Sequence, residues 1–485
     1  MKRDLTNNTQ SINEREWVTL AVVITALILV IRLISLAAIP LMDTTEARYG
    51  EMARIMAETG NWVTPMFDYN VPFWGKPPLF TWMSATGINL FGLSEFSVRI
   101  PHLFVALMTL ALVGYLASSE TKVKAVSALS VLITATSAVF IVVGGSVMTD
   151  TALTFSITLT MLGFWQFSKV ESESTNATKW ALIFSIGLAL GMLSKGPLTL
   201  VLVGMSLIAW LTLAGRWSLV RAFPWRKAIG IFLLFTLPWY VMAEMKTPGF
   251  LDYFIVGEHF KRFVVSGWQG DLYGNAHKET RGTIWLFWLL AAFPWSPLII
   301  WQTVKGFIHS RINSVGDSAF RTFLWSWMLS PLILFTLAGN VLPSYVMPAI
   351  PPMAILIACN IDLESVRTKK YVKYAGLLTC LIISVVAILL SFGLTSKQAE
   401  KDLLNIWKQQ DNYQDVSLFY LDKRPFSGQY YSQGVAIDVK NLEEIQRPSY
   451  VVYETQNHSR YQTNWFTQCR EVGQSKKRTL VYCGL

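Results

Sequence analysis

The chain is poor in charge. Only 15% of its 485 residues are Asp, Glu, Lys or Arg, against about 25% in soluble domains. Five histidines and four cysteines are too few for a metal-rich or disulfide-dense scaffold. What replaces charge is oil: 52% of the residues are apolar. Nearly uncharged runs of about 18 or more residues, the length of a membrane-crossing helix, recur from residue 17 to residue 394. This excludes a cytosolic enzyme, a coiled coil and a disordered chain. It also argues against a β-barrel, whose strands would alternate apolar and polar side chains.

The runs predict about eleven transmembrane helices, near 17–39, 99–117, 125–146, 151–168, 180–194, 197–214, 228–245, 283–303, 322–338, 346–361 and 372–394. With the N-terminus inside, the basic loops at Lys122 and Lys124, Arg216 to Lys227, Lys305 to Arg321 and Arg367 to Lys373 all fall on the cytoplasmic side, as the positive-inside rule requires. The net charge of +10 is thereby read as topology, and no nucleic-acid partner is expected. No cleavable signal peptide is evident, because the first apolar run ends at Ile39-Pro40 without a small-residue cleavage pattern.

Two units follow: a transmembrane domain over 1–394, with long outer loops at 40–98 and 246–282, and a tail over 395–485. The tail has strand-like runs at Val416 to Leu421, Tyr450 to Tyr453 and Thr479 to Tyr482, after a helical start near Lys397 to Lys408. It reads as a small α/β domain on the outer side. Cys359 and Cys380 lie inside predicted spans as small apolar residues. Cys469 and Cys483 lie in the tail and are predicted to form a disulfide, which an oxidising compartment permits.

Chemistry-bearing residues gather in the outer loops. Asp43 and Glu46 open an amphipathic stretch whose Tyr49, Met52, Ala53 and Met56 share one helical face, as in a helix lying on the membrane surface. Asp43 is either an N-cap completing a capping-box-like pair with Glu46 or, with Glu46, part of an acidic cluster supplying a general base. Lys76, beside Trp74 and before Pro77-Pro78, is held in place by rigid backbone. It is a fixed cation for an anionic head group or a snorkelling lysine. Asp150 and Lys195 sit at the outer ends of their spans, each a helix-end residue or a functional one.

In loop 246–282, Phe250, Leu251, Phe254 and Ile255 predict a second interfacial helix, followed by an i, i+4 pair of Glu258 and Arg262. Arg262 is a solvated rung or a bidentate phosphate ligand. His259 has no second histidine at ligand spacing, and no metal or cofactor is expected. Tyr345 lies in a turn bracketed by Pro343 and Pro348, which holds its hydroxyl at the interface. No Gly-rich phosphate loop or nucleotide fingerprint is present. The expected anion is therefore lipid-borne, as in a polyprenyl phosphate.

Several linked motifs, Thr45-Glu46-Ala47-Arg48-Tyr49, Gly60-Asn61-Trp62-Val63-Thr64, Gly75-Lys76-Pro77-Pro78-Leu79, Phe91 to Arg99 and Leu342-Pro343-Ser344-Tyr345, resemble the aminoarabinose transferase (ArnT-like) branch of the protein O-mannosyltransferase-like GT-C glycosyltransferases. The resemblance implies a mainly α, GT-C-like polytopic membrane enzyme. It would move a sugar, such as 4-amino-4-deoxy-L-arabinose, from undecaprenyl phosphate to lipid A or another periplasmic acceptor by an inverting displacement at the bacterial inner membrane. Lys76, Arg262, Tyr345 and Lys195 would hold the phosphate, and Asp43, Glu46 and Asp150 would be the catalytic acids. The family commonly has Asp where Thr45 stands here, which leaves the base between Asp43 and Glu46. Asp43, nearer the span, is preferred. Val341 also replaces the family's lysine before the Leu-Pro turn, and the chain is shorter than typical members of that branch. Alternatives are a transporter or flippase of lipid-linked sugars, or a protein O-glycosyltransferase. A transporter would more naturally show paired repeats and broken mid-membrane helices.

Overall fold

A computed structural model describes residues 2–171, 174–265, 267–274, 279–309, 317–392, 400–461 and 466–484. The chain begins with α1 (Lys2–Ala38), ended by Pro40. Between it and α4 (Glu95–Thr121) lie α2 (Thr45–Thr59), a two-strand ribbon of β1 (Met66–Asp68) and β2 (Val71–Pro72), and α3 (Leu79–Phe91). Then come α5 (Lys124–Ala135), α6 (Ala138–Val143), α7 (Thr149–Phe167), α8 (Thr175–Lys195), α9 (Leu198–Ala214), α10 (Ser218–Ala222) and α11 (Trp225–Lys246). A π-helix (Asp252–Lys261) runs into α12 (Arg262–Val264), followed by α13 (Thr283–Ala291), α14 (Ser296–His309) and α15 (Ser318–Thr336). A 3₁₀ helix (Pro343–Ala349), α16 (Ile350–Cys359) and α17 (Val366–Ser391) complete the apolar part.

Each run predicted to span contains helix among its described residues. Among the described residues five helices are long and apolar enough to cross a membrane: Asn13–Ala38, Glu95–Thr121, Thr175–Lys195, Trp225–Lys246 and Val366–Ser391. Two of the other predicted spans are broken rather than continuous. The 283–303 run is α13 and α14, bent by 108° where Pro294 and Pro297 deny the backbone its helical bonds. The 125–146 run breaks at Thr136 and Ser137, whose hydroxyls bond the Leu132 and Ile133 carbonyls at 2.6 and 2.7 Å. The two breaks meet: Ala138 N–H donates to the Phe293 carbonyl at 2.9 Å, and Trp295 Nε1 to Thr136 Oγ1 at 3.0 Å. Polar backbone at such breaks is tolerated because protein, not lipid, satisfies it.

The first outer loop departs from its predicted form. Tyr49, Met52, Ala53 and Met56 are buried as expected, but so are Gly50, Glu51, Arg54 and Ile55, so α2 is covered on both sides instead of lying on a surface. The capping-box alternative also fails. The N-cap position belongs to Thr44 without a side-chain bond, while Asp43 and Glu46 bond residues far away in sequence.

The tail is an α/β domain. The predicted boundary at 394–395 and its helical start at Lys397 fall outside the described residues. From α18 (Lys401–Lys408) the chain forms β3 (Ser417–Leu421), α19 (Phe426–Tyr431), β4 (Ala436–Val439), β5 (Ser449–Glu454), β6 (Cys469–Gln474) and β7 (Arg478–Cys483), in sheet order β4-β3-β5-β7-β6. β3 is parallel to β4 and β5, while β7 is antiparallel to β5 and β6. Alternation places Leu418 and Tyr420 on one face and Phe419 and Leu421 on the other, and both faces are packed. Cys469 and Cys483 are bonded across β6 and β7.

Candidate functional site

Four of the predicted residues come from distant segments to one cavity of about 90 Å³, roughly the volume of three waters. It is lined by Lys76, Lys195, Arg262 and Tyr345, with Glu258, His259 and Asn340 and the apolar Leu198, Phe263 and Phe335. Three cations thus face one carboxylate.

The local sequence explains how each arrives. Lys76 is followed by Pro77-Pro78, which start α3 and fix the preceding turn. Its Nζ reaches the Gly75 carbonyl at 2.6 Å and pairs with Glu258 Oε1. Glu258 and Arg262 lie four residues apart where the π-helix passes into α12, and Arg262 Nη1 contacts both Glu258 oxygens at 2.7 and 2.8 Å. Asp271 stands behind Arg262 at 3.4 Å.

Lys195 ends α8, and the chain turns at Gly196 with φ +66°. A Cβ on Gly196 would lie 2.5 Å from the Phe254 ring, so glycine permits both the turn and the approach of the π-helix. That approach brings His259 Nε2 to 2.9 Å from the Lys195 carbonyl, with Nδ1 2.7 Å from the Phe254 carbonyl. His259 is a packed, hydrogen-bonded histidine. Lys195 Nζ pairs with Asp150 Oδ1 at 2.7 Å and lies 4.5 Å over the Tyr345 ring. Tyr345 is carried by the 3₁₀ helix, its ring 4.8 Å from Phe335.

Burial alone would push Glu258 up, but the charges of Lys76 and Arg262 outweigh it and hold its carboxyl below the usual range. Glu258 is therefore an anion bridging two cations. Among the described residues, Arg262 Nε and Nη2 and the Tyr345 hydroxyl have no hydrogen-bond partner. Donors without partners beside a cationic lining suit an added anion with several oxygens.

Asp43 and Glu46 are not lining residues of this cavity. Both Glu46 oxygens are taken by Arg99, at 2.8 and 2.6 Å, and Oε1 also accepts the Val147 N–H at 3.2 Å. Arg99 in turn binds the Leu36, Ile39 and Pro40 carbonyls. It ties α2 and α4 to the end of α1. Burial would raise Glu46, but Arg99 holds it low. Asp43 accepts the N–H and the hydroxyl of Ser427 from α19. Burial pushes Asp43 above the usual aspartate value, with the Ser427 bonds opposing.

Sequence reasoning took Glu258 only as half of a helix pair and passed over Asn340. Asn340 Nδ2 donates to the Arg262 carbonyl at 2.7 Å and the Val265 carbonyl at 3.2 Å, holding the Arg262 segment beside the cavity. Its position just before the Leu342-Pro343 turn was the only signal available.

Residues 17–254 match the family model described as dolichyl-phosphate-mannose-protein mannosyltransferase. An undecaprenyl phosphate-alpha-4-amino-4-deoxy-L-arabinose arabinosyl transferase of Enterobacter sp. (strain 638) is 27% identical over 72% of this chain and 60% of its own. The Edwardsiella ictaluri (strain 93-146) protein of that name is 28% identical over 78% of this chain and 66% of its own. The crystal structure of ArnT from Cupriavidus metallidurans bound to undecaprenyl phosphate superposes with a TM-score of 0.75 at 17% identity, covering 95% of this chain and 97% of that one. The chain has the fold of this ArnT structure. Its several long apolar helices indicate a multi-pass membrane protein. The chain spans about three fifths of the length of the curated ArnT relatives it matches. The shared fold covers the apolar helices and the tail domain alike.

Proposed function

We propose that this protein transfers a sugar from a polyprenyl-phosphate carrier to lipid A or another acceptor at the periplasmic face of the bacterial inner membrane. The observation that carries this is the meeting of Lys76, Lys195, Arg262 and Tyr345 in one cavity with donors to spare. A solved protein of the same fold is bound to undecaprenyl phosphate, and relatives by sequence are named for moving aminoarabinose from that carrier.

In the proposed reaction an acceptor oxygen attacks the anomeric carbon from the face opposite the phosphate. The bond from that carbon to the phosphate oxygen breaks, and its electron pair stays with the leaving polyprenyl phosphate. Where the acceptor is a hydroxyl, its proton passes to a carboxylate. Negative charge grows on the phosphate as the bond breaks, so cations already in place there lower the barrier. Lys76 and Arg262, aligned by Glu258, and Lys195, aligned by Asp150, fill that role, with Tyr345 donating its hydroxyl proton in a hydrogen bond.

For the acid, Asp43 is the better choice than Glu46. A base must have free lone pairs and enough proton affinity. Glu46 is neutralised by Arg99 with both oxygens occupied, whereas Asp43 is held only by neutral donors and is raised by burial. A protein acceptor is the second reading, favoured by the mannosyltransferase family model over residues 17–254.

The test is transfer by the purified full-length protein from undecaprenyl-phosphate-linked aminoarabinose, with lipid A and an unfolded polypeptide as parallel acceptors, read by mass spectrometry. Lipid A heavier by one sugar supports the main reading. Sugar on the polypeptide alone supports the second, and sugar on neither overturns both.

A further inference from the structure

Ser427 is the second residue of α19 and is completely buried. Its N–H donates to Asp43 Oδ1 at 3.1 Å, and its hydroxyl donates to Asp43 Oδ2. The same hydroxyl accepts the Glu400 N–H at 3.2 Å. With its accepting side engaged by an amide, the Ser427 proton is directed at Asp43. The two residues are 384 positions apart, so no local backbone requirement brings them together.

The surroundings hold this contact still. Glu400 is fixed by Arg478 at 2.6 Å. On the other side of α19, Arg424 reaches Asp68 at 2.5 Å, Gln429 reaches Asp68 at 2.8 Å, and the Tyr431 hydroxyl lies between the Leu41 N–H at 2.7 Å and Glu95 at 3.0 Å. Two of these partners, Leu41 and Asp68, flank Asp43 and α2 in the first loop. A carboxylate serving merely as a helix cap would need only backbone donors. The Ser427 N–H fits that plain reading, but the hydroxyl bond to the second oxygen goes beyond it.

We propose that Ser427 is a positioning residue for the acid of the first loop, through which the C-terminal domain fixes the orientation of the Asp43 carboxylate. The proposal rests on the reading of Asp43 as the acid. An ionised carboxylate has about four acceptor directions, and the two Ser427 bonds leave others on the half-buried Asp43 for an acceptor hydroxyl. The C-terminal domain is then part of the transfer machinery as well as a cover for the loop.

The experiment is steady-state transfer by the full chain from undecaprenyl-phosphate-linked aminoarabinose to lipid A, comparing Ser427→Ala, Ser427→Thr and Asp43→Asn, with rates referred to folded protein. Ser427→Ala is expected to lower kcat by about tenfold to a hundredfold, the scale set by a misoriented catalytic group, with the donor KM unchanged. Ser427→Thr, which keeps the hydroxyl, restores most of that loss. Parent kcat in Ser427→Ala with an inactive Asp43→Asn overturns the role of Ser427 alone. Parent activity in Asp43→Asn overturns the acid, and the proposal with it. A lower melting temperature with kcat unchanged also overturns it, since the contact is then structural only. Should the alanine variant not accumulate, Ser427→Cys takes its place. A thiol is a weaker donor, so its kcat must fall below the parent's, and equality overturns the proposal.

Discussion

Lys195 Nζ lies 2.7 Å from Asp150 Oδ1, with only 6% and 5% of the two side chains exposed. Removing one member of such a pair leaves a buried charge uncompensated, at a cost of about 3–5 kcal/mol. Asp150→Asn is therefore expected to lower thermal stability clearly. Undecaprenyl phosphate should restore more of that loss than it adds to the parent, because the bound anion compensates Lys195. Thermal unfolding with and without the lipid checks this, and equal stabilisation of both proteins would count against Lys195 as a phosphate ligand.

Lys76 and Arg262 meet on Glu258. A charged hydrogen bond contributes about 1.5–3 kcal/mol, so Lys76→Met and Arg262→Met should each weaken undecaprenyl phosphate binding by roughly tenfold to a hundredfold. The double variant should lose less than the sum, because the two cations share one carboxylate. Isothermal titration in detergent measures all three. Unchanged affinity in both single variants would remove the cavity from the donor site.

Asp43 is raised above the usual aspartate value by burial, with Ser427 and Arg478 pulling it down. The charged or titratable groups facing it from the C-terminal domain are Arg478 on β7, Glu400 before α18 and Tyr420 on β3. A base works only when ionised, so activity should fall as pH drops through a value above the ordinary aspartate range. Losing the Ser427 hydroxyl removes a bond that favours the ionised form and should move that acidic limb to higher pH. A pH–kcat profile identical in parent and Ser427→Ala would contradict the assignment.

The Cys469–Cys483 bond closes a loop with a sequence separation of 14. Closing a loop of this size restricts the unfolded chain by about 3 kcal/mol. Replacing both cysteines by alanine should lower the stability of the full-length protein by about 2–4 kcal/mol while leaving lipid binding intact, because the bond lies on the β6–β7 edge and no cavity residue belongs to either strand. Thermal melts and lipid titration on the same sample separate the two effects.

Much of this was legible in the sequence because membrane physics is coarse. Apolar runs marked the helices, and the breaks after Lys76 and Lys195 marked residues held at helix ends. Lys76, Lys195, Arg262 and Tyr345 were grouped only through the family resemblance, and nothing in periodicity could show that they share a cavity or that Glu258 lies between two of them. Broken helices at Pro294 and at Thr136-Ser137 were missed, since hydropathy does not register a bend whose backbone is satisfied by protein. The partners of the first-loop acids were out of reach. A capping pattern at Asp43 and Glu46 looked sufficient, while the actual partners, Ser427 and Arg99, lie 384 and 53 positions away.

The most direct test is single-turnover transfer from undecaprenyl-phosphate-linked aminoarabinose to lipid A by the purified protein, run beside the Lys76→Met, Arg262→Met double variant. The expected result is lipid A heavier by one sugar with the parent and a loss of transfer in the variant. Transfer at the parent rate by the double variant, or none by the parent, would contradict a phosphate-carried sugar donor held in this cavity.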